Sequence, residues 1–201
     1  METQHTRMRG DERRAYILAQ AKKIFAEKSY WEASTGELAR ASGITEPVLY
    51  KHFGSKKQLF IALLSMISGQ FLQRFRNRIE ARTDLSDRLA NLLLDYRAAA
   101  MEDHDSIHFL MNAVLELKDP EIAQLIQTHN QETFALIYDL LEKAQAQGLV
   151  SSQLDLSVAT WGYQSFLVAL QYRAKASLFE EFDARTISEI NRLWLQALKI
   201  A

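Results

Sequence analysis

Eight side chains between residues 35 and 56 have types and spacing that could do chemistry: Thr35, Thr45, Glu46, Pro47, Tyr50, Lys51, His52 and Lys56. Hydroxyls, ammonium groups and a partly cationic imidazole around one short helical turn are the groups that bond phosphate oxygens and reach base edges. Glu46 could accept from a cytosine amino group or act as a favourable acid at a helix start, and the sequence leaves both open. Lys56 and Lys57 fall in the first turn of the helix that follows. Lysine there opposes the helix dipole, so a nearby anion would resolve the conflict. A solvated basic turn is the plain alternative for the whole stretch.

Other chemistries are poorly represented. The chain has no cysteine, which excludes disulfides, thiolate metal sites and cysteine nucleophiles and fits a reducing cytoplasm. There is no glycine-rich phosphate loop and no Ser/His/Asp set that spacing singles out. In "EDHDSIHF", His104 and His108 stand four apart, with Asp103, Asp105 or Glu116 possible neighbours. That is either a transition-metal pair or a polar helix junction. The expectation is a non-enzyme with no metal and no cofactor.

The elements that must position these groups are helices. Only seven Gly and two Pro interrupt 201 residues, so an all-α fold is expected. Ile17, Ala21, Ile24 and Phe25 recur at helical spacing and predict a first helix over 11–28, with Asp11 as a possible cap. Ser34 or Thr35 can cap a second helix through Ala41, Gly43 supplies a left-handed turn, and Thr45 can cap a third helix with Pro47 in its first turn. Residues 35–53 thus read as helix, tight turn, helix, the pattern whose second helix enters a major groove. With Val48, Leu49 and Phe53 facing the core, the polar set is left on the outer side.

Ser55 can cap a long helix carrying Leu59, Leu63, Ile67 and Phe71 and ending near Arg82. Further helices are predicted from Asp84 or Ser86 to about Met101, from Asp119-Pro120 to Gly148, and over about 155–178 and 183–199. The net charge of −1 hides an asymmetry. Residues 1–60 hold 11 Lys and Arg against 7 Asp and Glu, net +4, and the remainder is net −5. A basic front on an acidic body suggests that the front meets a polyanion. Arg7, Arg9, Arg13 and Arg14 form a basic arm that could add phosphate contacts or be a frayed tail. The first ten residues are polar, without the apolar segment of a secretory signal, and no apolar run reaches membrane-spanning length, so a cytoplasmic protein is expected.

"STGELARASGITEPVLYKHFGSKKQLF", residues 34–60, resembles the DNA-binding signature of the TetR/AcrR family of bacterial transcriptional regulators. The likeness runs through Ser34-Thr35, Leu38-Ala39, Gly43, Leu49-Tyr50, His52-Phe53, Lys56 and Leu59-Phe60, and the preceding "ILAQAKKIFAEKSY" matches the family's usual opening. It covers about residues 12–61; Ser29 and the bulky Trp31-Glu32 depart from the pattern in the loop between the first two helices. The resemblance implies a helix-turn-helix domain over 1–57 and a ligand-binding and dimerisation domain over 58–201, in a homodimer that binds a palindromic operator on double-stranded DNA as a repressor. It implies phosphate contacts for Thr35, Tyr50, Lys51, His52 and Lys56, and base contacts for Thr45, Glu46 and Pro47.

The resemblance also implies a small-molecule effector held by the body. Candidate pocket residues are Phe71, Phe75, Leu93, Tyr96, Phe109, Met111, Asn112, Phe134, Tyr138 and Phe166, an aromatic set suited to a lipophilic ligand. For dimerisation, Val158, Trp161, Gly162, Ser165, Ala169 and Tyr172 make one helical stripe, and Ile187, Ile190, Trp194, Ala197 and Leu198 another. Small residues among aromatics permit close helix approach, either between subunits or within one.

Overall fold

In a computed structural model the chain is described over residues 9–175 and 183–199, and these residues form helices and turns. Arg7 of the basic arm and the last turn expected for the 155–178 helix lie outside the described residues. The N-terminal helices are α1 (Gly10–Glu27), α2 (Thr35–Ala41) and α3 (Glu46–Phe53). Helix α1 starts one residue before the expected cap, with Asp11 inside its first turn; Arg13 and Arg14 are therefore helical, not part of a tail. Ser34 caps α2 by accepting from the Glu37 N–H. Gly43 and Gly54 stand at φ +63° and +74°, so the turns flanking α3 use a conformation that a Cβ would strain.

Helix α4 (Lys56–Glu80) leaves this unit and runs through the body for roughly 37 Å at 1.5 Å per residue. Ser55 caps it, and Leu59, Leu63, Ile67, Phe71 and Phe75 bury one continuous stripe within a single buried cluster that runs from Ile17 of α1 to Leu198 of α9. Helices α5 (Leu85–Met101), α6 (His104–Ala113), α7 (Pro120–Ala146), α8 (Leu156–Lys175) and α9 (Ala184–Lys199) complete the body, with a 3-10 turn at Val114–Glu116 between α6 and α7. The stretch read as a metal pair or a junction is thus the start of α6, capped by Asp103 through the Ser106 N–H. Among the described residues no group of three or more His, Asp or Glu gathers as metal ligands would, and no helix is long and apolar enough to cross a membrane.

The two stripes expected at an interface differ in fate. On α8, Val158, Trp161, Val168 and Tyr172 are well exposed, in line along one face. On α9, Ile187 and Leu198 are buried inside the subunit. The Asn191 amide on the same helix donates to the Leu89 and Ala90 carbonyls at 2.8 and 2.9 Å, and its oxygen accepts from the buried Tyr163 hydroxyl. Most of the α9 stripe therefore packs on α5, and its exposed side carries Leu193 and Ala197.

Candidate nucleic-acid interface and effector cavity

Helix α3 is anchored by a single line of side chains. Leu49 and Phe53, four apart, are buried, whereas Val48, expected in the core, stands exposed beside Tyr50 and Lys51. An eight-residue helix lying on α2 and α4 has only one narrow contact line, and Val48 falls off it. Thr45, Glu46, Pro47, Tyr50 and Lys51 are all exposed on this outer side, and His52 is half-buried. A shallow cleft joins Thr45, Val48 and His52 to Arg13 and the start of α1. Arg14 is committed elsewhere: its guanidinium donates to the His52 carbonyl at 2.6 Å and lies 4.2 Å from the Phe53 ring centroid, fastening α1 to the end of α3.

Three of the expected contact residues have partners already. Thr35 donates its hydroxyl to the Glu46 carboxylate at 2.6 Å. That carboxylate lies over the first turn of α2, where a Cβ on Gly36 would come within 3.1 Å of it. Glu46 thus ties the two helices of the motif together. Lys56 places its ammonium 4.3 Å from the Tyr30 ring centroid, and burial lowers its pKa. The anion that Lys57 needs at the start of α4 comes from within the chain: its ammonium meets Asp119 at 2.8 Å and Glu121 at 2.7 Å, which raises its pKa.

Those carboxylates open α7, so the Lys57 clasp joins the helix-turn-helix unit to the body. Two further links run from α1 to α6. Lys22 pairs with Asp103 at 2.7 Å; burial works against the Asp103 carboxylate, but the bonds from Lys22 and Ser106 outweigh it and lower its pKa. Asn112 donates to the carbonyls of Phe25 and Ala26, the last-turn acceptors of α1, at 2.9 and 3.2 Å. Phe109, one turn earlier, packs on Phe60 and Phe25 with centroids 4.9 and 6.2 Å away. Phe109 and Asn112, expected at a ligand, instead build the joint between the two units.

The opposite side of α6 faces a cavity of about 930 Å³. Leu110 and Met111 of α6 and Val114 and Leu117 beyond it form one wall, Leu64 and Ser68 of α4 another, and His129, Asn130 and Phe134 of α7 with Gln164 of α8 line the rest; Trp161 and Val168 stand exposed at its open rim. Of the ten expected pocket residues, Met111 and Phe134 line it. Phe71, Phe75 and Tyr96 form an edge-on cluster one layer behind, with centroids 5.1 to 5.2 Å apart across Tyr96. Phe71 backs His129, and the Tyr96 hydroxyl accepts from Gln171 of the wall. Burial pushes that phenol's pKa well up. Leu93 is likewise buried core; Tyr138 stacks on Phe134 outside the wall, and Phe166 lies partly exposed on α8. The sequence reading missed the polar lining of His129, Gln164 and Gln171; the only available signal was polar residues recurring on faces that are otherwise apolar.

The described residues thus form a helix-turn-helix unit fastened to a helical body that holds a cavity. Residues 17–63 match the bacterial regulatory proteins of the tetR family. The chain is 27% identical over 146 residues to the transcriptional activator FasR of Mycolicibacterium smegmatis, an overlap of 68% of this chain and 62% of that protein, less than two thirds of its length. In fold it is similar to Salmonella enterica GusR (TM-score 0.71, 22% identity, 94% of this chain and 96% of that one). It is also similar to Bacillus subtilis FadR, solved with stearoyl-CoA (TM-score 0.68, 19% identity, 92% and 97%). Residues 17–63 are thus a segment of the tetR family of bacterial regulatory proteins, and the described residues share the all-helical fold of these solved regulators.

Proposed function

We propose that the protein is a ligand-responsive repressor that binds a palindromic operator as a homodimer and is released by a small lipophilic effector. The observation that carries this reading is α6, which presents Leu110 and Met111 to the cavity on one side and Phe109 and Asn112 to α1 on the other. A ligand that displaces α6 must move α1, and with it α3. Recognition helices in a dimer have to stand roughly 34 Å apart to enter successive major grooves, so a change in their separation is enough to lose the operator. Effector binding then favours the conformation with the wrong spacing, a population shift set by its differential affinity for the two states.

Tyr50, Lys51 and His52 are the proposed phosphate contacts, and Thr45, Glu46 and Pro47 approach the bases. The exposed α8 stripe of Val158, Trp161, Val168 and Tyr172, continued by Leu193 of α9, is the proposed dimer surface. FasR is named an activator, so the direction of regulation is itself part of the proposal. The test is a mobility-shift titration against DNA upstream of the protein's own gene, with a reporter driven by that DNA. Binding that weakens steeply with salt and a reporter that rises on deletion are expected. Salt-independent or undetectable binding overturns the reading, and a reporter that falls on deletion makes the protein an activator.

A further inference from the structure

We infer that the effector is an uncharged lipophilic molecule carrying a hydroxyl or an amide, whose polar group is taken up by Ser68, His129 and Gln164. This rests on the ligand-responsive reading above. The wall of the 930 Å³ cavity contains no Asp, Glu, Lys or Arg. A carboxylate or phosphate drawn to the buried inner wall of Ser68, His129 and Gln164 would lose hydration without meeting a counter-charge.

The same wall nevertheless asks for polar partners. Among the described residues, the neutral side chains with a buried polar atom lacking a hydrogen-bond partner are Ser68 (Oγ), His129 (Nδ1) and Gln164 (Oε1). All three belong to this one wall, from three different helices. Native proteins rarely leave such atoms unpaired, so their convergence on one cavity points to a missing occupant. Gln164 has spent its amide N–H on the Asn130 carbonyl at 3.0 Å, which leaves its oxygen as an acceptor. His129 is about nine-tenths buried and neutral at physiological pH, since burial drives its pKa down to about 4. It therefore offers one donor and one acceptor nitrogen in place of a cation. The residues that carry these atoms all line the cavity, at its buried side. A hydroxyl or amide N–H both donates and accepts and can serve this mixed set, whereas a hydrocarbon leaves it unpaired.

The experiment is displacement of the uncharged dye Nile red at pH 7.5 by two matched series: decan-1-ol, decanoate and decane, and 2-naphthol, 2-naphthoate and naphthalene. Stearoyl-CoA serves as the anionic competitor. In at least one series the alcohol is expected to bind about tenfold or more tightly than both its carboxylate and its hydrocarbon. Gln164→Leu and His129→Leu, each checked for helicity, should erase the preference over hydrocarbon. Carboxylates equal to the alcohols in both series, stearoyl-CoA tighter than either alcohol, no displacement by the alcohols, or an unchanged preference in folded Gln164→Leu would each overturn the inference. The same compounds are then added to the protein–DNA complex. Release by decanoate alongside its tighter binding leaves the repressor reading standing and removes the uncharged-ligand inference. Gln164-dependent alcohol binding without release does the reverse.

Discussion

Asn112 offers the sharpest test of the joint between the two units. The last carbonyls of a helix have no intrahelical partner. In α1, the Ile24 carbonyl is taken by the Lys28 N–H, but the Ser29 N–H that would serve Phe25 donates to Glu32 instead. Asn112 supplies the missing donor from α6, to both Phe25 and Ala26, in a site where the amide itself is buried. Asn112→Ala removes, besides a long contact to the Lys28 carbonyl, the two shorter hydrogen bonds to Phe25 and Ala26, worth about 1 kcal/mol each, and leaves at least one buried carbonyl unpaired, at about 1–3 kcal/mol. The summed expectation is about 3–5 kcal/mol of lost stability. Asn112→Asp keeps the shape but turns carboxylate oxygens toward carbonyl oxygens, so it should be worse than alanine. Urea unfolding at 25 °C with an unchanged slope is the assay. An alanine variant within about 0.5 kcal/mol of the parent, or an aspartate variant more stable than the alanine one, would refute the idea that Asn112 caps α1 from the body.

Other expectations follow from the same geometry. Tyr50→Phe combined with Lys51→Ala should leave the melting curve unchanged and lower operator affinity, with a salt slope shallower by about 1 per lost phosphate contact in each subunit; an unchanged slope in mobility-shift titrations would contradict the assignment. Unfolded His129 takes up its proton near pH 6.5, whereas the folded residue resists until about pH 4. The unfolded state therefore binds more protons in that window, and stability is lost as the pH drops from about 6.5 to about 4, by at most roughly 3 kcal/mol. His129→Gln should flatten this part of the stability–pH profile, and an identical profile would exclude the burial explanation. Gly36→Ala introduces a Cβ 3.1 Å from the Glu46 carboxylate. The flexible carboxylate should give way while the helix gains up to about 1 kcal/mol, so thermal stability holds and base preference at the operator changes; selection on randomised DNA reads that change.

What the sequence determined by itself was local. Ser34, Gly43, Ser55 and Asp119 are cap and turn residues whose preferences act over three or four positions, and they set the boundaries of α2, α4 and the start of α7 close to where the structure has them. The exposed side of α3 was legible for the same reason: Thr45, Glu46, Pro47, Tyr50 and Lys51 are near neighbours on or beside one short helix, and one turn fixes their common side. Helix α6 was harder to see, being ten residues long with a polar first turn that also read as a junction. Tertiary structure alone decided which of two apolar faces meets which neighbour. It sent Phe109 and Asn112 to the α1 joint while their adjacent residues Leu110 and Met111 face the cavity, and it put Phe71, Phe75 and Tyr96 a layer behind the wall. It also gave Lys57 its anions from α7, 62 and 64 positions along the chain. Periodicity records that a side chain is apolar and which face it shares. Whether that face meets core, ligand or a second subunit depends on helices brought together from far apart in the chain, and no local pattern encodes that choice.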